Sequence, residues 1–178
     1  MKKSFFKFHI KTFVTILIAG ALYGFIGFFG FPIGSEIYIK PGVAFLAIIG
    51  AAFGPITGFL VGFIGHTITD VIGGWGIWWG WVMSSAIMGF FMGLIYTYNN
   101  FNVKEGKIKA KHIIYMVLTG SIGIVLALLT AGVYDVYVMN ESFIKIKSQV
   151  ISAAVSNLLV LWTLGIPSVW GLCKINKE

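Results

Sequence analysis

The chain has 178 residues, of which 58% are hydrophobic and only 11% are charged, and its formal net charge is +7. Soluble domains average about 25% charged residues, so a soluble protein of this length could not bury so much apolar surface in one core. All 13 basic residues are lysines. Because arginine is the residue that favours paired hydrogen bonds to phosphates and bases, the charge argues against nucleic-acid binding and for an integral membrane protein.

Six apolar stretches follow one another along the chain. A helix rises 1.5 Å per residue, so about 20 residues cross the hydrocarbon core of a bilayer. The first stretch follows several lysines, as in a signal peptide, but it continues well past its small-residue triplet and predicts an uncleaved span. We therefore predict one membrane domain over residues 1–178, an all-α bundle of six transmembrane helices at about 10–31, 42–54, 56–74, 76–98, 112–134 and 149–172.

The lysines predict how these helices are oriented. Ten of the 13 lysines fall in three clusters, at residues 2–11, 104–111 and 174–177. Lysine clusters mark the cytoplasmic side, and the first two share a side only if four crossings separate them, so the short stretch 42–54 must cross. Both termini are then cytoplasmic. The same topology places four acidic residues at the outer face, which predicts a site open to the outside: Glu36, Asp70, Asp135 and Glu141.

The third span combines small and ionisable residues at one spacing. Gly54, Gly58 and Gly62 recur every four residues, which lets another helix approach closely. His66 and Asp70 continue the same face. Ionisable groups inside a span are costly, so this pair either fixes helix packing through hydrogen bonds or contacts a ligand. A metal site needs at least one more protein ligand, and neither a metal ion nor a cofactor is predicted.

Four tryptophans stand within residues 75–81. Such a cluster is typical of the aromatic belt at a membrane surface, but indole faces near an acid could also bind a flat or cationic ring. A helix beginning near Gly76 would place Trp78, Trp81 and Ser85 on one face, with Trp79 pointing elsewhere.

Further polar residues reach the same outer level in the predicted topology. They could serve as hydrogen-bonding glue between helices or as part of a site. The predicted substrate-binding set comprises Glu36, Tyr38, His66, Asp70, Trp78, Trp81, Ser85, Tyr134 and Asn157.

Several sequence runs together resemble the substrate-binding S components of energy-coupling factor (ECF) transporters, most closely the riboflavin-type branch. These runs are Ile-Lys-Pro-Gly-Val-Ala-Phe at 39–45, Phe-Gly-Pro-Ile-Thr-Gly-Phe at 53–59, Gly-His-Thr-Ile-Thr-Asp at 65–70 and Ile-Trp-Trp-Gly-Trp at 77–81. The resemblance implies a transport subunit that captures a vitamin from outside. It also implies partners, namely a transmembrane coupling subunit and two cytoplasmic ATPase subunits. Small residues on the first helix would dock this module, here Thr15, Ala19, Gly20 and Gly24.

The tryptophans and the acid favour a compact heteroaromatic vitamin, such as pyridoxine or hydroxymethylpyrimidine, with riboflavin or cobalamin as the alternative. Two other classes of function stay open at this point: an intramembrane enzyme that uses His66 and Asp70 as acid and base, and a small pore subunit. The sequence contains no Walker motif, so ATP hydrolysis is expected from the partners. The expected location is the plasma membrane of a bacterium.

Overall fold

The structure is a computed structural model that describes residues 10–32 and 38–177. Within these residues the chain forms six helices: α1 (Ile10–Ile26), α2 (Gly42–Phe53), α3 (Pro55–Gly73), α4 (Trp79–Thr97), α5 (Ala110–Tyr137) and α6 (Phe143–Ile175). α4 ends in a tighter 3₁₀ turn at Leu94–Thr97, and α6 contains one π-helical stretch at Leu161–Gly165. A two-stranded antiparallel sheet, β1 (Phe31–Pro32) and β2 (Tyr38–Ile39), lies between α1 and α2.

Four of these helices, α3 to α6, are long and apolar enough to cross a membrane, whereas α1 and α2 are shorter. α2 has only 12 residues, about 18 Å at 1.5 Å per residue. It nevertheless covers much of the depth of the bundle, because Gly42 lies against Tyr23 at one end and Gly54, which follows α2, lies against Tyr96 at the other. The six-helix architecture predicted from the sequence is confirmed, and most of α2 is buried among the other helices.

The helix boundaries differ from the apolar stretches in both directions. α1 ends at Ile26 rather than near residue 31, while α5 and α6 extend beyond the predicted 112–134 and 149–172. α4 begins at Trp79, not near Gly76. Hydropathy marks the residues that suit hydrocarbon, whereas a helix continues as long as its backbone hydrogen bonds are made, so α6 begins in a polar segment with Lys145 and Lys147.

Glycines set the closest helix contacts. A Cβ atom on Gly58 would meet the carbonyl oxygen of Gly89, and one on Gly62 would meet the carbonyl oxygen of Ser85. α3 and α4 therefore pack backbone against backbone along the predicted stripe, as small residues allow in membrane helices. Pro55 begins α3, where its missing N–H costs no helical hydrogen bond.

The small residues of α1 also pack inside the chain. A Cβ on Gly20 would lie 3.0 Å from Ile64 Cγ2, and one on Gly24 would lie 2.8 Å from the carbonyl oxygen of Gly65. Ala19 is buried as well. α3 therefore covers Gly20 and Gly24, whereas Thr15 is only partly buried. That these four residues dock a partner stays a prediction.

Candidate functional site

A cavity of about 1060 Å³ opens at the end of the bundle that carries the small sheet and the segment between α3 and α4. Its volume lies slightly above the roughly 300–1,000 Å³ typical of ligand sites. Seven residues of the set predicted from the sequence line it: Tyr38, His66, Asp70, Trp78, Trp81, Ser85 and Asn157. The predicted Glu36 lies outside the described residues, and Tyr134 lies elsewhere.

Asp70 organises the wall of the cavity. Its Oδ1 accepts a hydrogen bond from the indole nitrogen of Trp75 at 3.1 Å, and its Oδ2 accepts one from the backbone N–H of Trp78 at 2.9 Å. The segment between these tryptophans turns through Gly74 and Gly76, whose φ angles of 74° and 84° favour glycine. The carboxylate, only 3% exposed, thus holds the tryptophan segment in place as well as facing the cavity.

His66 belongs to a polar chain that joins three helices. Its Nδ1 lies 2.6 Å from Ser85 Oγ, and the same hydroxyl accepts a hydrogen bond from the phenol of Tyr23 at 3.2 Å. The other ring nitrogen, Nε2, lies 3.6 Å from Asp70 Oδ1. Both interpretations of the His66–Asp70 pair therefore have support, since the two groups fix packing and also face the cavity.

Trp81 is held from behind by α5. Its indole nitrogen donates to Asp135 Oδ2 at 2.6 Å, and Asp135 is fully buried. Successive helical residues are about 100° apart, so Tyr134 points away from this contact. It lines a separate apolar groove between α4 and α5, and the structure does not bring it to the cavity.

The opposite wall comes from α6 and the small sheet. Asn157 is buried, and its amide nitrogen lies 3.6 Å from Met88 Sδ. The hydroxyl of Ser156 donates to the backbone carbonyl of Tyr38. This bond ties the segment between α1 and α2 to α6 and fixes the backbone next to the cavity.

Two lysines that were absent from the predicted site also line the cavity, Lys40 and Lys145. Lys40 is an exposed residue, but desolvation of its amine beside the cavity lowers the pKa below its ordinary value of 10.5, and the charge of Asp70 opposes this shift. Lys145 pairs with Glu141 at 2.8 Å. A signal was present in the sequence, because these two and Lys147 are the lysines that lie outside the three lysine clusters.

The indoles of this segment are placed differently: Trp78 precedes α4, while Trp79 and Trp81 lie two residues apart on it and so point to different sides. Trp78 and Trp81 line the cavity, whereas Trp79 is 47% exposed and lies beside Phe63, with ring centroids 6.2 Å apart. Trp79 is therefore placed as a belt residue would be. In the described part of the chain, no three His, Cys, Asp or Glu side chains come together as a metal site would require.

Three comparisons place this geometry among known proteins. Residues 7–174 match the family model described as the S component of an ECF-type riboflavin transporter. A UPF0397 protein of Vibrio atlanticus (strain LGP32) is 35% identical over 173 residues, which cover 96% of this chain and 95% of that protein. The crystal structure of an S component for biotin from an ECF-type ABC transporter superposes with a TM-score of 0.51 at 17% identity, covering 95% of this chain and 92% of that one. This last likeness supports the fold alone.

Proposed function

Because this chain belongs to the family of ECF-type riboflavin transporter S components, it is a multi-pass transport subunit, and we propose that its cavity binds riboflavin or a closely similar neutral, flat heteroaromatic vitamin. S components work with a transmembrane coupling subunit and ATPases, so the chain is not an enzyme. The observation that carries the substrate proposal is the pair of indoles, Trp78 and Trp81, which both line the same large cavity. Indole faces bind flat aromatic rings by stacking.

The volume of the cavity favours a ligand with several rings. Binding sites usually bury most of the surface of their ligand. A single-ring vitamin such as pyridoxine or hydroxymethylpyrimidine, which the sequence reasoning placed first, would leave much of about 1060 Å³ to water. The family description also names riboflavin, which that reasoning held as the alternative.

The charges around the cavity favour a neutral ligand. Lys40 and Asp70 lie close enough to influence each other, and Lys145 is paired with Glu141. These four groups sum to zero net charge. An anionic ligand would lose the water around its charge on entering the cavity, and the cavity has no excess positive charge to compensate for that loss. Binding of an anion is therefore unfavourable.

The test is a binding titration with the purified chain in detergent. Riboflavin, pyridoxine, hydroxymethylpyrimidine and cobalamin are titrated separately, with biotin as the unrelated vitamin, and tryptophan fluorescence or calorimetry reports binding. We expect riboflavin to bind most tightly. Tight binding of pyridoxine or hydroxymethylpyrimidine, with none of riboflavin, would contradict the proposal and restore the first interpretation of the sequence.

The transport step is tested separately. Reconstituted alone in vesicles, the chain should bind the vitamin but not accumulate it when ATP is supplied on either side, because the described residues carry no nucleotide-binding motif. Addition of the coupling subunit and the ATPases should start ATP-dependent uptake. ATP-driven accumulation by the isolated chain would overturn the partner-dependent mechanism.

A further inference from the structure

Lys40 stands apart from the other lysines. Ten lysines belong to the three sequence clusters at 2–11, 104–111 and 174–177. Of the other three, Lys145 is paired with Glu141, and Lys147 does not line the cavity. Lys40 lines the cavity, and among the described residues its amine has neither a hydrogen-bond partner nor an ion-pair partner within 4 Å. A positive charge that faces the cavity and has no partner in the described ranges 10–32 and 38–177 is available to a ligand.

The backbone on both sides of Lys40 is fixed. Ile39 pairs with Phe31 in the small sheet, and the carbonyl oxygen of Tyr38 accepts from Ser156 on α6. The carbonyl oxygen of Lys40 itself accepts from the N–H of Val43 at 3.3 Å as α2 begins. A side chain on such an anchored segment is held at the cavity with little freedom of the backbone, which is what a specificity residue requires.

The surroundings of Lys40 define the chemistry that it can recognise. The negative charge of Asp70 already acts on the ammonium group of Lys40. The ligand therefore does not need a full negative charge of its own to balance that of Lys40. Trp78 and Trp81, which line the same cavity, suit a ring. The group that remains for the lysine is therefore a polar edge of that ring, rich in carbonyl oxygens and ring nitrogens, which accept hydrogen bonds from an ammonium group.

We propose that Lys40 is a specificity-determining residue whose ammonium group donates hydrogen bonds to the carbonyl and ring-nitrogen edge of a heteroaromatic ligand stacked on Trp78 and Trp81. This inference rests on the proposed function in so far as it places the ligand in this cavity. The indoles would recognise the flat face of the ligand, and Lys40 would recognise the hydrogen-bond acceptors along the edge of its ring.

The first test compares charge-matched variants. Lys40→Met removes the ammonium group and keeps most of the side-chain length, and Lys147→Met removes an exposed lysine of α6 that does not line the cavity. We expect Lys40→Met to bind riboflavin about 10- to 100-fold more weakly, as for a lost hydrogen bond from a charged donor, and Lys147→Met to stay within about twofold. Equal affinity of Lys40→Met and the unaltered chain would overturn the proposal.

The second test uses pH. The described titratable and charged groups lining the cavity beside Lys40 are Tyr23 on α1, Tyr38 on β2, His66 and Asp70 on α3, and Lys145 on α6. Affinity should fall as the pH rises through the lowered pKa of Lys40, because the amine loses the proton that it donates. Lys40→Arg should keep its affinity at alkaline pH, since the guanidinium stays charged. If the ligand or another group caused the fall in affinity, both the unaltered chain and Lys40→Arg would show it. The same alkaline loss in Lys40→Arg would contradict the assignment.

The third test separates the acceptor edge from an anionic group. The 5′-phosphate ester of riboflavin has the same ring, so Lys40→Met should lower its affinity by the same factor as for riboflavin. A loss confined to the phosphate ester would show that Lys40 serves an anion, and the proposed contact with the ring would be wrong.

The identity of the ligand and the role of Lys40 can be tested independently. If the unaltered chain does not bind riboflavin, mass spectrometry of the compound retained through purification identifies the ligand. Retention of that compound by the unaltered chain but not by Lys40→Met upholds the role of Lys40, and equal retention overturns it. A chain that neither binds nor retains any compound overturns both proposals.

Discussion

The indole nitrogen of Trp81 donates a hydrogen bond to Asp135 across the contact between α4 and α5, with 2.6 Å between Nε1 and Oδ2. Trp81 lines the cavity, while Asp135 is fully buried behind it. The other carboxylate oxygen, Oδ1, has no hydrogen-bond partner among the described residues. The orientation of the Trp81 indole therefore depends on one hydrogen bond to α5. Among the described residues, α5 contributes only Leu128 to the cavity lining.

Replacing Trp81 with Phe tests this bond. The ring surface is largely kept, but the donor is lost, and the buried carboxylate of Asp135 is left without its partner. We expect a loss of about 1–3 kcal/mol in the free energy of unfolding, the range for a stranded buried polar group. Thermal unfolding in detergent measures it. Trp79→Phe, on the exposed side of α4, is the control, and equal stability of both variants would show that the bond contributes nothing.

Gly58 and Gly62 should be required for folding rather than for ligand choice. A methyl group at either position meets a backbone oxygen of α4, so Gly58→Ala and Gly62→Ala should each destabilise the bundle by about 1–3 kcal/mol through overpacking. Gly171→Ala is the matched control, because no atom lies within 4 Å of its added Cβ. Normal stability of both variants together with lost ligand binding would place these glycines in the binding site instead.

Trp78→Ala should weaken ligand binding by about 1–3 kcal/mol, as expected for lost stacking, and leave the folded yield unchanged. Its neighbour Trp79 points away from the cavity, so Trp79→Ala should bind normally. Calorimetry with riboflavin compares the two. If both variants bind as the unaltered chain does, the tryptophans serve only as an interfacial belt.

Asp70→Asn should affect both binding and stability. The amide has an NH₂ group in place of one carboxylate oxygen, so Trp75 and Trp78 can no longer each donate to a separate acceptor oxygen. We expect binding to weaken by about 1–3 kcal/mol, with a parallel fall in the unfolding temperature, because the tryptophan segment loses one of its anchors. Weakened binding at full thermal stability would indicate that Asp70 acts on the ligand alone.

The orientation in the membrane is a separate prediction. In a chain with Cys173→Ala, a cysteine at Lys107 should be protected from a membrane-impermeant thiol reagent applied outside cells, and a cysteine at Ser142 should react. Both positions are exposed and lie in segments between long helices. Disruption of the cells should make the first position react as well. Labelling of position 107 alone in intact cells would reverse the topology.

The sequence alone determined the features that depend on local chemistry. Apolar stretches predicted six helices because hydrocarbon requires apolar side chains over a set length, and the spacing of Gly58 and Gly62 predicted close packing. Helical spacing also placed Trp79 and Trp81 on different sides of α4. Each of these properties follows from neighbours within a few residues along one helix.

Only the tertiary structure decided which helix faces meet. Gly20 and Gly24 have the spacing of a docking face, but α3 covers them. Tyr134 and Asp135 are adjacent in sequence, and the rotation of α5 turns only the second towards Trp81. Lys40 reaches the cavity because the small sheet and α6 hold its backbone there. The rotation of a helix and the path of a loop depend on packing between distant residues, which no local pattern records.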